Sequence, residues 1–123
     1  MGKVVAVVGA STDRSKFGNK AVRAFREAGY DVVPINPRVT EVEGLTAYAS
    51  VLDVPGPIEM VTVYVPPEVG VRLIPDLVRK KVGEVWLNPG ADDDSVVDEA
   101  RRQGLKVIVA CSIVGIGRSP RDF

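Results

Sequence analysis

Lys3-Val4-Val5-Ala6-Val7-Val8-Gly9-Ala10-Ser11-Thr12 opens the chain with a continuous apolar run that stops at a glycine. Continuous rather than alternating apolarity marks a strand covered on both faces, as in a parallel sheet. Gly9 lets the chain turn tightly off that strand. Ala10 and Ser11 are small enough for a phosphate to approach the backbone, and Ser11 and Thr12 add hydroxyl donors. The loop therefore reads as a phosphate-binding turn that departs from G-x-G-x-x-G. A plain strand-to-helix turn would use the same residues.

Beyond this loop the pattern changes period. Ala21, Val22, Phe25 and Ala28 keep a three-to-four spacing, which predicts a helix over 18–28 with Gly29 just past its end. Asp31-Val32-Val33-Pro34-Ile35 reads as a second strand. Leu45-Thr46-Ala47-Tyr48 reads as a short strand or turn, and Met60 to Val65 as a strand stopped by Pro66-Pro67. A helix follows over about 67–81, with Pro75 expected to kink or split it and Gly83 to close it. Glu84 to Leu87 is the next strand. Asp92-Asp93-Asp94 stands at a helix start, where carboxylates cap and complement the dipole rather than bind metal. Leu105 to Val109 is the last long strand. This β-α-β-α series predicts an α/β chain: a three-layer Rossmann-like fold with a mainly parallel β-sheet, in one domain over residues 1–123.

Composition narrows the function. Sixteen basic residues balance sixteen acidic ones, so the chain as a whole lacks the positive excess of a nucleic-acid coat. The run from Val4 to Gly9 is too short to span a bilayer and lacks the features of a signal peptide, which leads to the expectation of a cytoplasmic protein with no membrane partner. There is no histidine, the side chain best suited to acid–base work near neutral pH, and no catalytic residue or metal site is assigned. Cys111 is the single thiol; a buried, inert cysteine is the ordinary reading, and a mixed disulfide with a ligand thiol the alternative. Trp86 reads as core, and Phe17 as a core-facing staple at the helix entry rather than a cover for a ligand.

In an open parallel sheet, ligands bind outside the carboxyl ends of the strands. Those ends here are Gly9-Ala10-Ser11-Thr12, Asn36-Pro37-Arg38, Val65-Pro66-Pro67, Asn88-Pro89-Gly90 and Ala110-Cys111-Ser112. Arg14 and Lys16 add positive charge beside the first. At the end of the second strand, an NAD site usually places Asp or Glu for the ribose hydroxyls. Asn36 stands there instead, with Arg38 close behind, which suits a phosphorylated ribose, as in NADP or the 3′-phosphate of coenzyme A. Asn88 and Gly90 offer an amide and a close backbone.

Taken in order, these segments resemble the CoA-binding domain family, the small stand-alone Rossmann domain related to the N-terminal domain of the succinyl-CoA synthetase alpha subunit. The resemblance implies that Gly9 to Arg14 meet the phosphates, that Asn36-Pro37-Arg38 lies by the phosphorylated ribose, and that Val65-Pro66-Pro67 flanks the adenine or pantetheine. Many stand-alone members carry Gln where Asn88 stands and an acidic residue where Gly115 stands. The synthetase relatives use a catalytic histidine from a second domain. The expectation is therefore binding of coenzyme A or an acyl-CoA by a carrier, sensor or regulatory module. The alternative is an NADP-binding oxidoreductase fragment. An exposed edge strand leaves room for a homodimer or another protein partner.

Overall fold

A computed structural model of the chain describes residues 2–123. The elements run β1 (Val4–Val8), α1 (Phe17–Glu27), β2 (Asp31–Ile35), β3 (Glu41–Val42), β4 (Leu45–Thr46), β5 (Met60–Val63), α2 (Pro67–Lys80), β6 (Glu84–Leu87), α3 (Asp94–Arg102), β7 (Lys106–Val109) and α4 (Ser112–Gly115). Five strands form one parallel sheet in the order β2-β1-β5-β6-β7, while β3 and β4 pair as a small antiparallel hairpin. This is the three-layer Rossmann-like arrangement.

The apolar run of β1 is explained by its central place. Ala6 and Val8 point to one face, where Ile74 and Leu77 of α2 and Val96 of α3 cover them. Val5 and Val7 point to the other, where Ala21, Val22 and Phe25 of α1 and Ile113 of α4 lie. A strand with a core on each side cannot alternate polar and apolar residues. Pro34 fits β2 because the outer edge of that strand meets only a single bridge, in which Tyr48 donates to the Pro34 carbonyl.

Two local expectations are corrected. Pro75 does not split α2, which runs unbroken from Pro67 to Lys80. Its ring is on the exposed side, where water can reach the carbonyl it leaves unpaired, while Ile74 and Leu77 hold the helix to the core. The left-handed cap of α2 is Lys81 (φ 56°), not Gly83. Gly83 is small for another reason: a Cβ there would fall 2.2 Å from the Glu59 carbonyl oxygen. The expected capping by the acidic run is seen directly, with Asp93 accepting from the backbone and hydroxyl of Ser95 at 2.9 and 2.6 Å. Trp86 is only partly buried, and its indole donates to Glu84 at 3.0 Å.

Candidate functional site

Strand order reverses between β1 and β5, so the loops that leave these two strands diverge to opposite faces of the sheet and open a crevice. A cavity of about 770 Å³ occupies that position, a size suited to a nucleotide-like ligand. Gly9, Ala10, Ser11 and Lys16 of the first loop line it, as does Asn36 after β2. Val65 and Pro66 after β5 and Asn88 and Gly90 after β6 complete the part anticipated from the sequence. Thr12, Arg14, Pro37, Arg38 and Pro67 stand outside the lining. Arg14 is turned toward Glu43, at 3.6 Å, and Arg38 is exposed on the turn after Asn36.

The start of α1 is shaped by two glycines. Gly9 takes φ +88°, and a Cβ on Gly18 would lie 2.1 Å from the Gly9 carbonyl oxygen. Glycine at both positions lets the helix sit directly on the end of β1. The N–H groups of Gly9 and Ala10 both point at the Ile35 carbonyl, at 3.1 and 3.3 Å, so the first loop is tied to β2. Donors for an anion come instead from the start of the helix near Gly18, where the sequence also predicts free N–H groups. Phe17 and Gly18 occupy its first turn, where no intrahelical carbonyl is available, and Lys16 supplies no side-chain cap. Lys16, Phe17 and Gly18 all face the cavity.

Behind this loop lies a brace. Asn19 is fully buried and donates to the Ser11 carbonyl at 2.8 Å and to Glu43 at 3.1 Å, while accepting from Arg23 at 2.7 Å. Arg23 in turn donates to the Arg14 carbonyl at 2.8 Å. In front, Asp13 accepts from the backbone and hydroxyl of Ser15, at 3.0 and 2.7 Å, and these bonds hold its carboxyl below the usual aspartate pKa. Asn36 joins the first two strand ends: it donates to the Ala10 carbonyl at 2.8 Å and accepts from the Arg38 backbone at 2.8 Å. Its amide is thus occupied by the protein.

The opposite wall is dry. Asn88, Thr62 and Ser112 are all buried, and their side chains bond to one another. Tyr64 reaches Ser112 from the cavity side at 3.0 Å. Burial raises the pKa of the Tyr64 hydroxyl, against the lowering effect of the neighbouring Ser112 and Thr62 hydroxyls.

Several lining residues were not anticipated as ligand contacts. Phe17 is 52% exposed and borders the cavity, so it is not the expected core staple. Its place one residue before Gly18, whose backbone is pressed on Gly9, turns it outward. Tyr64, Ala91 and Pro120 also line the cavity, whereas Gly18 at the helix start and Pro89 between Asn88 and Gly90 were expected at this edge. Tyr64 had a signal in the sequence, since it stands at a strand end beside Val65. Pro120 had none, because only the return of the C-terminal segment brings it there. Cys111, half-buried, lines the cavity as well.

Comparison with known proteins gives the family and the fold. Residues 3–116 match the family model described as a CoA binding domain. The chain belongs to the CoA-binding domain family. A solved structure of a Thermus thermophilus protein is 34% identical to this family member, with a TM-score of 0.84 over 92% of this chain and 87% of that one. A conserved hypothetical protein from Pyrococcus furiosus is 28% identical, with a TM-score of 0.82 over 94% of this chain and 99% of that one. The ADP-forming acetate–CoA ligase I of Archaeoglobus fulgidus is 30% identical over 116 residues. That match covers 86% of this chain but 17% of the ligase, so the chain spans less than a fifth of that relative. Among the described residues, no helix of this CoA-binding domain is long and apolar enough to cross a membrane.

Proposed function

We propose that residues 1–123 act as one CoA-binding unit, a cytoplasmic carrier, sensor or regulatory module that holds coenzyme A or an acyl-CoA in the cavity at the carboxyl edge of the sheet. The observation that carries this reading is the uncapped start of α1, opening with Lys16 onto a 770 Å³ cavity at the β1–β5 switch point. The helix start and the Ser11 hydroxyl take the pyrophosphate. Val65 and Pro66 flank the adenine or the pantetheine. Arg38, exposed on the turn after Asn36, reaches back to the 3′-phosphate when the ligand is present, and Arg14 contributes charge from the rim. The acetate–CoA ligase relative places this kind of domain within a larger CoA-using protein, which supports the ligand class.

Calorimetric titration tests the reading. Coenzyme A is expected to bind, and 3′-dephospho-CoA to bind severalfold more weakly. Absence of CoA binding at millimolar concentration overturns the proposal. Equal affinity for the two ligands removes only the assignment of Arg38. A nicotinamide fluorescence change with NADPH that coenzyme A fails to reverse would favour the oxidoreductase fragment instead.

A further inference from the structure

The buried chain Asn88–Thr62–Ser112–Tyr64 has a direction, and the direction can be worked out from the backbone. The N–H of Ser112 can only donate, and it points at Asn88 Oδ1 at 2.8 Å. The Val63 carbonyl can only accept, and Asn88 Nδ2 lies 2.9 Å from it. These two backbone groups fix the orientation of the amide. The second N–H of Nδ2 therefore donates to Thr62 Oγ1 at 2.7 Å.

Thr62 is fully buried, and its hydroxyl proton needs an acceptor. Its well-formed partner is Ser112 Oγ at 2.7 Å, so Thr62 donates there. Ser112 is equally buried and now accepts from Thr62; its own proton goes to Tyr64 Oη at 3.0 Å. The reverse polarity would leave a hydroxyl proton without an acceptor in a buried site, at the cost of its full desolvation. Tyr64 Oη is thus an acceptor toward the protein. Its proton is left over, and the residue borders the cavity.

We infer that Tyr64 presents a fixed hydrogen-bond donor to the CoA cavity and that it reads an uncharged carbonyl oxygen of the bound ligand. This inference rests on the CoA reading above and adds a second recognition point to it, distinct from the phosphate end. The surroundings favour a carbonyl over an anion: Val65, Pro66, Pro89 and Cys111 border the same cavity, and the cationic Lys16 belongs to the first loop. The raised pKa of the hydroxyl keeps the proton in place through the neutral range. A carbonyl of this kind comes from a pantetheine amide or from the thioester of an acyl-CoA. Tyr64 touches the ligand, while Ser112, Thr62 and Asn88 act through it as positioning residues.

The test compares coenzyme A, acetyl-CoA and adenosine 3′,5′-bisphosphate, which lacks both carbonyl sources, on wild type, Tyr64→Phe and Ser112→Ala. Tyr64→Phe is expected to weaken the carbonyl-bearing ligands by about three- to tenfold, the size of one neutral hydrogen bond. Adenosine 3′,5′-bisphosphate is expected to bind it as it binds wild type. Loss for coenzyme A and acetyl-CoA alike assigns a pantetheine amide; loss for acetyl-CoA alone assigns the thioester. Ser112→Ala should reproduce the same pattern at smaller size, because Tyr64 is then free to turn its proton inward. Equal loss for all three ligands, or no loss for any, overturns the role of Tyr64 while the CoA reading stands. Failure of wild type to bind any of the three overturns the CoA reading itself.

Discussion

The two ends of the cavity are built on opposite principles. Around the start of α1, Asp13, Arg14, Lys16 and Phe17 are all exposed, and the loop is closed by short-range bonds between Ser11, Asp13 and Ser15. At the far wall, Asn88, Thr62 and Ser112 are buried, and each polar side-chain group has a partner. The exposed end can attract an anion by charge and unpaired N–H groups, and water screens its contacts. The dry end attracts little, but it holds one hydroxyl in one orientation. Charge at one end and geometry at the other are what a long ligand with phosphates and amides requires.

The largest effect is expected where the exposed end meets the sheet. Gly18→Ala places a methyl 2.1 Å from the Gly9 carbonyl oxygen, and backbone cannot yield as a flexible side chain does. It should lower unfolding free energy by about 3 kcal/mol, measured by urea titration, and displace the first turn of α1. A variant as stable as wild type would show that this junction is loose and that the exposed end is not anchored.

Asn88→Ala attacks the dry end. It strips partners from the Ser112 N–H, the Val63 carbonyl and Thr62 together, and should cost about 2–3 kcal/mol by the same measurement. Asn88→Asp restores the acceptor for Ser112 but puts an oxygen against the Val63 carbonyl, so it should rescue little. Rescue by aspartate would reverse the direction assigned to the hydrogen-bond chain.

The smallest effect separates the ends by pH. Asp13 has a folded-state pKa lowered mainly by its bonds to Ser15. A lowered folded-state pKa contributes stability that is present above the unfolded value, about 3.9, and is lost as pH falls through the folded value. Asp13→Asn should therefore lower stability slightly near neutral pH and make its decline below about pH 4 slightly less steep, so that variant and wild type converge at low pH. Melting curves at pH 7 and pH 3 check this. An equal change at both pH values would assign Asp13 a role in packing rather than in charge.

The boundaries of β2 were legible in the residues, and those of α1 and β7 to within one residue, because apolar periodicity and glycine stops are local signals. The cap at Lys81 and the unbroken helix at Pro75 were not. A lysine takes the left-handed cap while Gly83, two residues on, makes the close approach to Glu59, and α2 survives its proline because Ile74 and Leu77 anchor it on the other side. At the site, the strand ends named the wall residues Gly9 to Ser11, Asn36, Val65, Pro66, Asn88 and Gly90. They did not reveal Asn19 and Glu43, which brace the first loop from 8 and 32 residues away from Ser11.

The sequence by itself determined a parallel α/β sheet with its ligand-facing residues gathered at one edge, since strand ends in such a fold must lie together. It also determined the family. Only the tertiary structure decided which groups at that edge remain free. The amides of Gly9 and Ala10 are consumed by Ile35, that of Asn36 by the first loop and that of Asn88 by β5, and the proton of Tyr64 is released by a chain joining Thr62 to a serine 50 residues later. Hydrogen-bond partners that far apart leave no periodic trace in a sequence, because each is chosen by a contact that exists only once the sheet has formed.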